Sequence, residues 1–420
     1  IKYALLAILA VSLVACGTMS SSTDSPGSTQ YYFQEPPIQK KSRVYPRLVN
    51  YFHRMDLWEN RGDYREEHLA QWDVIILNPE IVDNQRLSLQ RIRGLNPGIK
   101  ILAWVPFGQS SEESKMSWTF PKLSDYFLRS GGTQLVAPWG GRMMNPWKND
   151  FAWPKHVISF LENNYLCPGM YDGIMFDCIW ENAPTWYSPD RTVDLNDNDY
   201  RKGILYLFRT LRSDKPDAII TGNGGMPWKK GSTYYVDANG SMAENAFGNE
   251  FGESNSTWQS QWDNYLGAIA SVTSRDLYFF MIGDLQFNRT IPQSSTAEYM
   301  GENDKRRFRL ALTTTLLGDG FFGFDRGDNL HGQLWWFAEY NVDLGSPLPG
   351  YEAPHSYRTG MYHRRAYSRE FTNGSVIVNP SMFSVSISFS EDRVDASTRK
   401  VANTFIVPAR DGRVFMKNQP

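Results

Sequence analysis

The chain has 420 residues, of which 41% are hydrophobic and 21% are charged, and its formal net charge at pH 7 is −2. This length accommodates two or three domains, or one large barrel with a small additional module. The nearly balanced charge offers no basic surface of the kind that binds nucleic acid, so the composition argues against that class of function.

The N-terminal segment has the pattern of a secretory signal peptide. Lys2 precedes an apolar run over residues 3–14, which is too short to span a bilayer as a helix. The run leads into a Leu-Val-Ala-Cys tetrapeptide that ends at Cys16 and resembles the bacterial lipobox, in which cleavage leaves the cysteine to carry lipid. We expect a lipoprotein signal peptide over residues 1–16 and a lipid anchor at Cys16; a plain signal peptide with a chance cysteine is the alternative. Because Gly17 rather than aspartate follows, the anchor is expected in the outer membrane of the bacterial envelope.

Residues 17–43 are rich in Ser, Thr, Gly and Pro and show no hydrophobic periodicity, which predicts a flexible tether. The two remaining cysteines, Cys167 and Cys178, flank a predicted strand that holds them roughly 30 Å apart, too far for a disulfide. We therefore expect free, buried thiols. The 6 histidines are scattered, and no Cys/His spacing indicates zinc. No metal and no cofactor are expected.

Short apolar runs alternate with helical patterns over residues 44–345, which predicts a parallel α/β fold. The helical patterns cover residues 64–71, 87–95, 153–165, 200–211, 258–272 and 305–317. The candidate strands are residues 48–52, 74–77, 99–105, 173–176, 218–221, 234–238, 277–282 and 320–324. Their number and spacing match a (β/α)8 TIM barrel. A doubly wound sheet is the alternative, but no Gly-x-Gly-x-x-Gly turn follows the first strand.

Two further segments complete the predicted organisation. Residues 106–149 form a long insertion, rich in Gly, Pro, Trp and Met, which we expect to wall a cleft on the catalytic face of the barrel. Residues 346–420 contain alternating apolar and polar stretches typical of antiparallel strands, and they predict a small β-sandwich-like C-terminal domain. A structural role is the first interpretation of that domain and sugar binding is the second.

Acidic residues follow several of the predicted barrel strands. The buried apolar run 174–176 ends in Asp177, Glu244 follows the region of strand six, Asp325 follows strand eight, and Asp284 after strand seven is a weaker fourth case. Parallel barrel strands end on the face where barrel enzymes carry their active sites. Glycoside hydrolysis needs two carboxyl groups there, because one protonates the leaving oxygen while the other attacks the anomeric carbon or activates water.

Asp177 and Glu244 are the candidate catalytic pair. Asp177 is expected to act as the nucleophile, or as the base in an inverting enzyme, although an aspartate at this place could simply cap the following loop. Glu244 is expected to act as the general acid/base, although an exposed loop acid is the ordinary interpretation. Asp237 is a rival for that role if strand six is shorter, and Glu181 is another, although it more plausibly lines the pocket.

Amide, acidic and aromatic residues near the strand ends are candidates for sugar contacts. Asn223 could donate a hydrogen bond to a sugar hydroxyl, and Asp325 could accept one, although an ion pair with the neighbouring arginine is the alternative for Asp325. Flat aromatic rings stack on sugar faces, but they also fill ordinary cores. The remaining candidates for substrate binding are Trp104, Trp180, Glu181 and Trp228.

Several short motifs together resemble one known family. They are DGIMFD at 172–177, NGG at 223–225, MAEN at 242–245, FDRGD at 324–328, REFTNG at 369–374 and VNP at 378–380. Their order resembles that of the hypothetical glycosyl hydrolase family 15, which is related to the α-galactosidase-like and endo-polygalactosaminidase-like barrels. The resemblance extends from about residue 44 to the C-terminus. It implies a nucleophile after strand four and an acid/base after strand six, the positions of Asp177 and Glu244.

The sequence therefore predicts a lipid-anchored glycoside hydrolase that acts on an extracellular or envelope polysaccharide. The alternative is a non-catalytic carbohydrate-binding or envelope-assembly lipoprotein on the same scaffold. A metal-dependent polysaccharide deacetylase would need a cluster of histidine and aspartate ligands, and the sequence pattern does not indicate one.

Overall fold

The computed structural model describes residues 44–52, 65–85, 87–110, 114–137, 140–167, 169–187, 193–224, 237–244, 246–247, 257–271, 276–285, 300–325, 327, 331, 333–350 and 366–418. The predicted signal peptide, the lipidated Cys16, the tether over residues 17–43 and the candidate Trp228 lie outside these residues. Within them, every helix is too short or too polar to cross a membrane.

Eight parallel strands form the barrel. They are β1 (Val49–Phe52), β2 (Val74–Leu77), β3 (Lys100–Pro106), β4 (Gly173–Asp177), β5 (Ile219–Asn223), β6 (Met242–Ala243), β7 (Phe280–Asp284) and β8 (Phe321–Asp325). Strands β1 to β5 pair in sequence order, and β6, β7 and β8 do the same.

Two contacts join these ladders into a closed barrel. Leu48, directly before β1, pairs in parallel with Phe322 of β8. On the other side, Ser241 Oγ donates a hydrogen bond to the Gly222 carbonyl at 2.7 Å, next to the start of β6. The predicted (β/α)8 TIM barrel is confirmed.

The apolar strands are buried on both faces, which explains why they read as continuous apolar runs. Alternate residues of all eight strands point inward and fill the barrel, because side chains in a strand alternate between its two faces. The opposite face packs against helices; for example, the ring of Phe176 lies 5.4 Å from that of Phe208. The inward cluster contains Val49, Tyr51, Val74, Ile76, Leu102, Met175, Ile219, Met242, Tyr278, Phe280, Ile282 and Phe321.

The helices that cover the barrel begin at polar caps where the sequence supplies them. Ser88 Oγ accepts a hydrogen bond from Arg91 N at 3.1 Å, and the Asn196 side chain accepts one from Asp199 N at 2.9 Å. The helices are α1 (Arg65–Leu69), α2 (Pro79–Gln85), α3 (Leu89–Leu95), α4 (Lys115–Trp118), α5 (Lys148–Asn164), α6 (Ala183–Tyr187), α7 (Asp197–Asp214), α8 (Trp258–Ser271) and α9 (Glu302–Leu316).

The prediction of strand six was wrong. The strand between β5 and β7 is Met242–Ala243, not residues 234–238; residues 234–236 lie outside the described part of the chain, and Asp237 is in a turn. The structure gives a physical reason, because a two-residue strand is too short to show periodicity. Gly240, two residues before this strand, lies so close to Tyr278 that an added Cβ would come within 2.3 Å of the Tyr278 carbonyl oxygen.

The insertion after β3 is built from short elements. The strand Gln109–Ser110 pairs antiparallel with Arg142–Met143, and Arg129–Ser130 pairs with Thr133–Gln134. A 3-10 turn, Leu123–Tyr126, precedes the second of these pairs in the sequence. Met144 N also donates to the Gly108 carbonyl at 3.0 Å, which holds the end of the insertion to the residues that follow β3. Both cysteines among the described residues are free thiols, with Cys178 buried and Cys167 partly exposed.

The C-terminal residues form one five-stranded antiparallel sheet, in the spatial order β9-β10-β13-β11-β12. An apolar cluster that includes Ile377, Phe405 and Phe415 stabilises it, and helix α9 of the barrel lies against β10 and β13. Antiparallel strands in this part of the chain were predicted. The boundary after residue 345 stays a prediction. The strands are β9 (Tyr367–Glu370), β10 (Gly374–Asn379), β11 (Val385–Asp395), β12 (Val401–Val407) and β13 (Asp411–Lys417).

Candidate active site

Polar side chains occupy the inward face of the barrel at the carboxyl ends of its strands. Asp177 follows the inward-facing Met175 by two residues, and Glu244 follows Met242 in the same way, so the strand period directs both into the barrel mouth. The strand register also matches: Asp177 pairs with Asn223 across β4 and β5, and Asp284 pairs with Asp325 across β7 and β8. These side chains therefore lie around one opening, the location of active sites in barrel enzymes.

Asp177 is held by three hydrogen-bond donors. Its Oδ1 accepts from Asn223 Nδ2 at 3.0 Å and from the backbone N–H of Cys178 at 2.8 Å, and its Oδ2 accepts from Trp104 Nε1 at 3.1 Å. Donors on both oxygens fix the plane of the carboxyl group and favour its ionised form.

Burial and these hydrogen bonds have opposite effects on the pKa of Asp177. Removal of Asp177 from solvent raises its pKa, and the negative charge of Glu244 raises it further, while the bonds from Cys178, Trp104 and Asn223 lower it. The result is a pKa of about 6. At neutral pH the carboxyl group is thus predominantly ionised, but it gains a proton readily in mild acid. A carboxylate with a pKa near the working pH suits nucleophilic or base catalysis.

The backbone turn after β4 supplies one of these donors. The backbone N–H of Cys178 donates to the side chain of Asp177, and Cys178 itself adopts a left-handed conformation with φ 58°. Few residues other than glycine adopt this conformation, and such strain is concentrated at functional sites. Gly108 packs directly against this turn: an added Cβ would come within 1.6 Å of the Cys178 carbonyl oxygen.

Glu244, the residue directly after β6, is more exposed than Asp177, with 38% of its side-chain surface accessible. Its Oε1 lies 3.3 Å from Nε2 of His331, whose other nitrogen, Nδ1, lies 2.7 Å from Asp325 Oδ2. The remaining oxygen of Asp325 accepts from Gly327 N at 2.8 Å. Residues from two distant parts of the sequence therefore form a continuous chain, Asp325–His331–Glu244.

Sequence reasoning missed His331. It lies beyond β8 in a stretch without strand or helix periodicity, so no local pattern marks it. Only its type, a histidine within six residues of a strand-end aspartate, could have suggested a role.

Sequence reasoning also missed Tyr51, which lies at the end of β1 and faces inward. Its ring lies 4.6 Å from the ring of His331. Burial raises the pKa of the Tyr51 hydroxyl well above its usual value, and the nearby charges of Asp177 and Glu244 raise it further. Tyr51 therefore stays a neutral hydroxyl between the two predicted catalytic acids. The alternation of its strand, in which Val49 also points inward, was the signal that could have identified it.

Asp284, the fourth strand-end acid, is engaged with a buried arginine. Its Oδ1 lies 3.3 Å from a terminal nitrogen of Arg307, and the Arg307 Nε donates to its backbone carbonyl. Burial raises the pKa of Asp284 well above its usual value, and the positive charge of Arg307 offsets this only in part. Asp284 thus retains a proton more readily than an ordinary aspartate.

The structure brings three of the six predicted sugar-binding residues to the barrel mouth, and each of the three already has a protein partner. Trp104 and Asn223 bond to Asp177, and Asp325 bonds to His331. Glu181 forms an ion pair with Arg201 at 3.1 Å. Their roles in binding sugar stay predictions, and so does the catalytic pair itself.

Trp180 and Asp237 are the two remaining predicted residues that the structure describes. Trp180 lies beside Trp186 with ring centroids 4.9 Å apart, and half of the surface of Trp186 is exposed to solvent. Asp237 lies at the opposite end of the barrel, because its carbonyl accepts from Arg212, which also bonds to the Ala218 carbonyl just before β5. Asp237 is therefore remote from Asp177. Within the described ranges, no group of three or more His, Cys, Asp or Glu is arranged to hold a metal ion.

The sequence profile described as hypothetical glycosyl hydrolase family 15 matches residues 104–375, well over half of the chain. No curated protein sequence matches. Among solved structures, Eubacterium rectale Amy13B is 12% identical with a TM-score of 0.52, and the match covers 89% of this chain and 96% of that one. An Anoxybacillus alpha-amylase is 9% identical with a TM-score of 0.54, covering 89% of this chain and 98% of that one. At these identities the solved structures support the fold alone.

Proposed function

We propose that this chain, which belongs to the hypothetical glycosyl hydrolase family 15 and is a glycoside hydrolase, cleaves glycosidic bonds in an extracellular or envelope polysaccharide. Asp177 and Glu244 are the proposed catalytic carboxylates. The observation that carries this proposal is their placement: they extend from the ends of β4 and β6 into one barrel mouth, close enough for the charge of Glu244 to raise the pKa of Asp177.

Asp177 is the proposed nucleophile. In a retaining reaction, one of its oxygens forms a bond to the anomeric carbon while the bond to the leaving oxygen breaks, and water later displaces the carboxylate. In an inverting reaction, Asp177 instead takes a proton from the attacking water. Either role needs an ionised and well-oriented carboxylate, and the donors Trp104, Asn223 and Cys178 N support both requirements.

Glu244 is the proposed general acid/base. Its proton goes to the leaving oxygen as the glycosidic bond breaks, and in a retaining enzyme the resulting carboxylate then takes a proton from water. A group in this role must exchange protons with its surroundings in every cycle. The 38% exposure of the Glu244 side chain supports this role, whereas Asp177 is buried.

The polysaccharide substrate and the envelope location rest on the N-terminal pattern. An enzyme anchored by lipid at Cys16 would meet polymers of the envelope or the cell exterior rather than cytoplasmic sugars. Incorporation of a labelled fatty acid into the wild-type protein, with loss of the label in Cys16→Ser, tests the anchor. Equal labelling of both proteins would contradict it.

The first prediction concerns the two carboxylates. The purified protein is incubated with a panel of polysaccharides, new reducing ends are counted, and NMR of the products gives the stereochemistry. Asp177→Asn and Glu244→Gln should each lower kcat/KM on the cleaved polysaccharide by about 10³-fold or more, because each variant removes one of the two carboxyl groups.

Asp237→Asn is the matched control, since the same substitution is made on an acid at the opposite end of the barrel, and it should retain activity. Full activity in Asp177→Asn would overturn the assignment of the nucleophile. Binding of a polysaccharide without any cleavage would favour the alternative, a carbohydrate-binding or envelope-assembly lipoprotein.

A further inference from the structure

A buried histidine connects two strand-end acids at the barrel mouth. We propose that His331 is a positioning residue that holds the carboxyl group of Glu244 in place and stabilises its negative charge. This inference rests on the acid/base role proposed for Glu244 and adds to it a residue that neither the sequence pattern nor the family match assigns. The geometry that supports it is the Asp325–His331–Glu244 chain, with N···O distances of 2.7 and 3.3 Å.

Asp325 fixes the orientation of the imidazole ring. Its Oδ2 lies 2.7 Å from Nδ1 of His331, and its Oδ1 accepts from Gly327 N, so the carboxylate cannot rotate without losing a bond. A carboxylate on one ring nitrogen directs the opposite nitrogen outward, an arrangement familiar from catalytic and metal-binding histidines. Nε2 is therefore directed at Glu244 Oε1.

Packing holds the ring from the side as well. Only 4% of the His331 side-chain surface is accessible, and the ring of Tyr51 lies against it at a centroid distance of 4.6 Å and an angle of 44°. A ring confined by Tyr51 and bonded at both nitrogens retains one orientation. Its bond to Glu244 then holds the carboxyl group of Glu244 in one orientation as well. Glu244 itself is partly exposed and follows a strand of only two residues, so its own backbone gives it little support.

The charges around this chain favour an imidazolium. The ionisable groups that face His331 and Glu244 come from four strands: Tyr51 on β1, Asp177 on β4, Asp284 on β7 and Asp325 on β8, while Arg307 of α9 stands behind Asp284. Burial lowers the pKa of His331, but the charges of Asp325 and Glu244 and the hydrogen bonds to both outweigh burial and raise it well above its usual value. Both ring nitrogens then carry protons and donate to the two carboxylates.

In this arrangement the two oxygens of Glu244 have different roles. Nε2 of His331 donates to Oε1, which leaves Oε2 to carry the proton that goes to the leaving oxygen. As that proton departs, a negative charge develops on Glu244 next to the imidazolium, which stabilises it. Removal of the imidazolium would make Glu244 a weaker acid and would free its carboxyl group to rotate.

The direct test measures the pKa of Glu244 without using activity. The full-length protein is labelled with 13C at the glutamate side-chain carboxyl carbons and titrated by NMR, and the Glu244 signal is identified by its loss in Glu244→Gln. In His331→Gln, which keeps an N–H donor but removes the charge, the pKa of Glu244 should rise by about one unit or more. His156→Gln is the matched control, because His156 lies on α5 and bonds to the Met116 carbonyl, and it should leave the pKa of Glu244 unchanged.

An unchanged pKa of Glu244 in His331→Gln would overturn the inference. If that variant fails to fold, the wild-type protein still provides a test: with 15N-labelled histidine, both ring nitrogens of His331 should be protonated at pH 7. A neutral ring at that pH would overturn the inference equally.

Kinetics then separate this inference from the proposed function. On the polysaccharide identified in the panel, His331→Gln should lower kcat by about 10²-fold with little change in KM and should move the alkaline limb of the pH–rate profile upward. If Asp177→Asn is fully active, the assignment of the nucleophile fails whatever the NMR result. If Asp177→Asn is inactive but the pKa of Glu244 does not depend on His331, only the present inference fails.

Discussion

Asp177 combines two opposing environments within one residue. Three donors stabilise its charge, whereas burial and the charge of Glu244 destabilise it, and the balance leaves a pKa of about 6 in place of the usual 3.8. The sequence predicted the position of this acid, because an apolar run that ends in aspartate places a carboxylate where the strand leaves the core. It did not predict the donors on Asp177 or the Asp325–His331–Glu244 chain, since most of these contacts depend on how the strand ends and the loops after them are placed around the barrel mouth.

The raised pKa of Asp177 predicts a pH-dependent effect on stability. Because the folded protein binds this proton more tightly than the unfolded chain does, the contribution of Asp177 is favourable below pH 4 and is lost as the pH rises through 6. Asp177→Asn carries no charge at any pH. Relative to the wild type, the variant should therefore gain about 2 kcal/mol in the free energy of unfolding between pH 4 and pH 7.5. Urea unfolding of both proteins at the two pH values measures this, and a difference that stays constant with pH would contradict it.

The same pKa predicts the acidic limb of the pH–rate profile. If Asp177 must be ionised to act as nucleophile or base, kcat/KM should rise with pH and reach half of its plateau near pH 6. The profile is measured on the polysaccharide identified in the panel, in buffers of constant ionic strength. A rate that is independent of pH between 4.5 and 7.5 would contradict the role of Asp177.

At the scale of secondary structure, the length of an apolar run decided which elements could be predicted. Strands β2, β4 and β8 are buried on both faces, so their sequences stand out as continuous apolar runs. Strand β6 has only two residues. The sequence predicted strand six at residues 234–238 instead, because that candidate segment is longer. The placement of Glu244 was nevertheless sound, because it follows the true strand directly.

The turn after β4 provides a prediction at this scale. Cys178 is buried with φ 58°, a conformation that glycine adopts freely and that β-branched residues strongly disfavour. Cys178→Gly should retain activity, whereas Cys178→Val should lose about 2 kcal/mol or more of stability and should lower kcat, because the donor to Asp177 moves. Cys178→Ala is the control for loss of the thiol alone. Thermal unfolding and kcat of the three variants are compared, and a Val variant equal to the Ala variant would show that the turn is not strained.

At the scale of the whole molecule, the C-terminal sheet is bound to the helix that leads into β8. Arg309 of α9 forms a bidentate pair with Asp411 of β13 at 2.7 and 2.8 Å, with only 4% and 0% of the two side chains accessible. Arg369 of β9 is fully buried and donates to the carbonyls of Leu316 and Gly318 at the end of the same helix. The sheet thus supports the element that positions Asp325. Sequence analysis assigned the sheet a structural role, but it could not identify these contacts, whose partners lie as much as 102 residues apart.

The buried Arg309–Asp411 pair therefore provides the last prediction, which concerns how barrel and sheet are coupled. Asp411→Leu removes the carboxylate that Arg309 and Arg413 share and leaves them only Glu302 and Asp395 as acidic partners, so it should lower the free energy of unfolding by about 3 kcal/mol. Arg309→Met should cost less, because Arg413 still pairs with Asp411. The double variant should be more stable than the sum of the two single effects implies, since it leaves no unpaired charge between α9 and β13. Chemical unfolding of the four proteins gives this coupling energy. Strictly additive losses would mean that the pair does not join the sheet to the barrel, and the support of Asp325 would then have to come from Arg369 and from apolar packing.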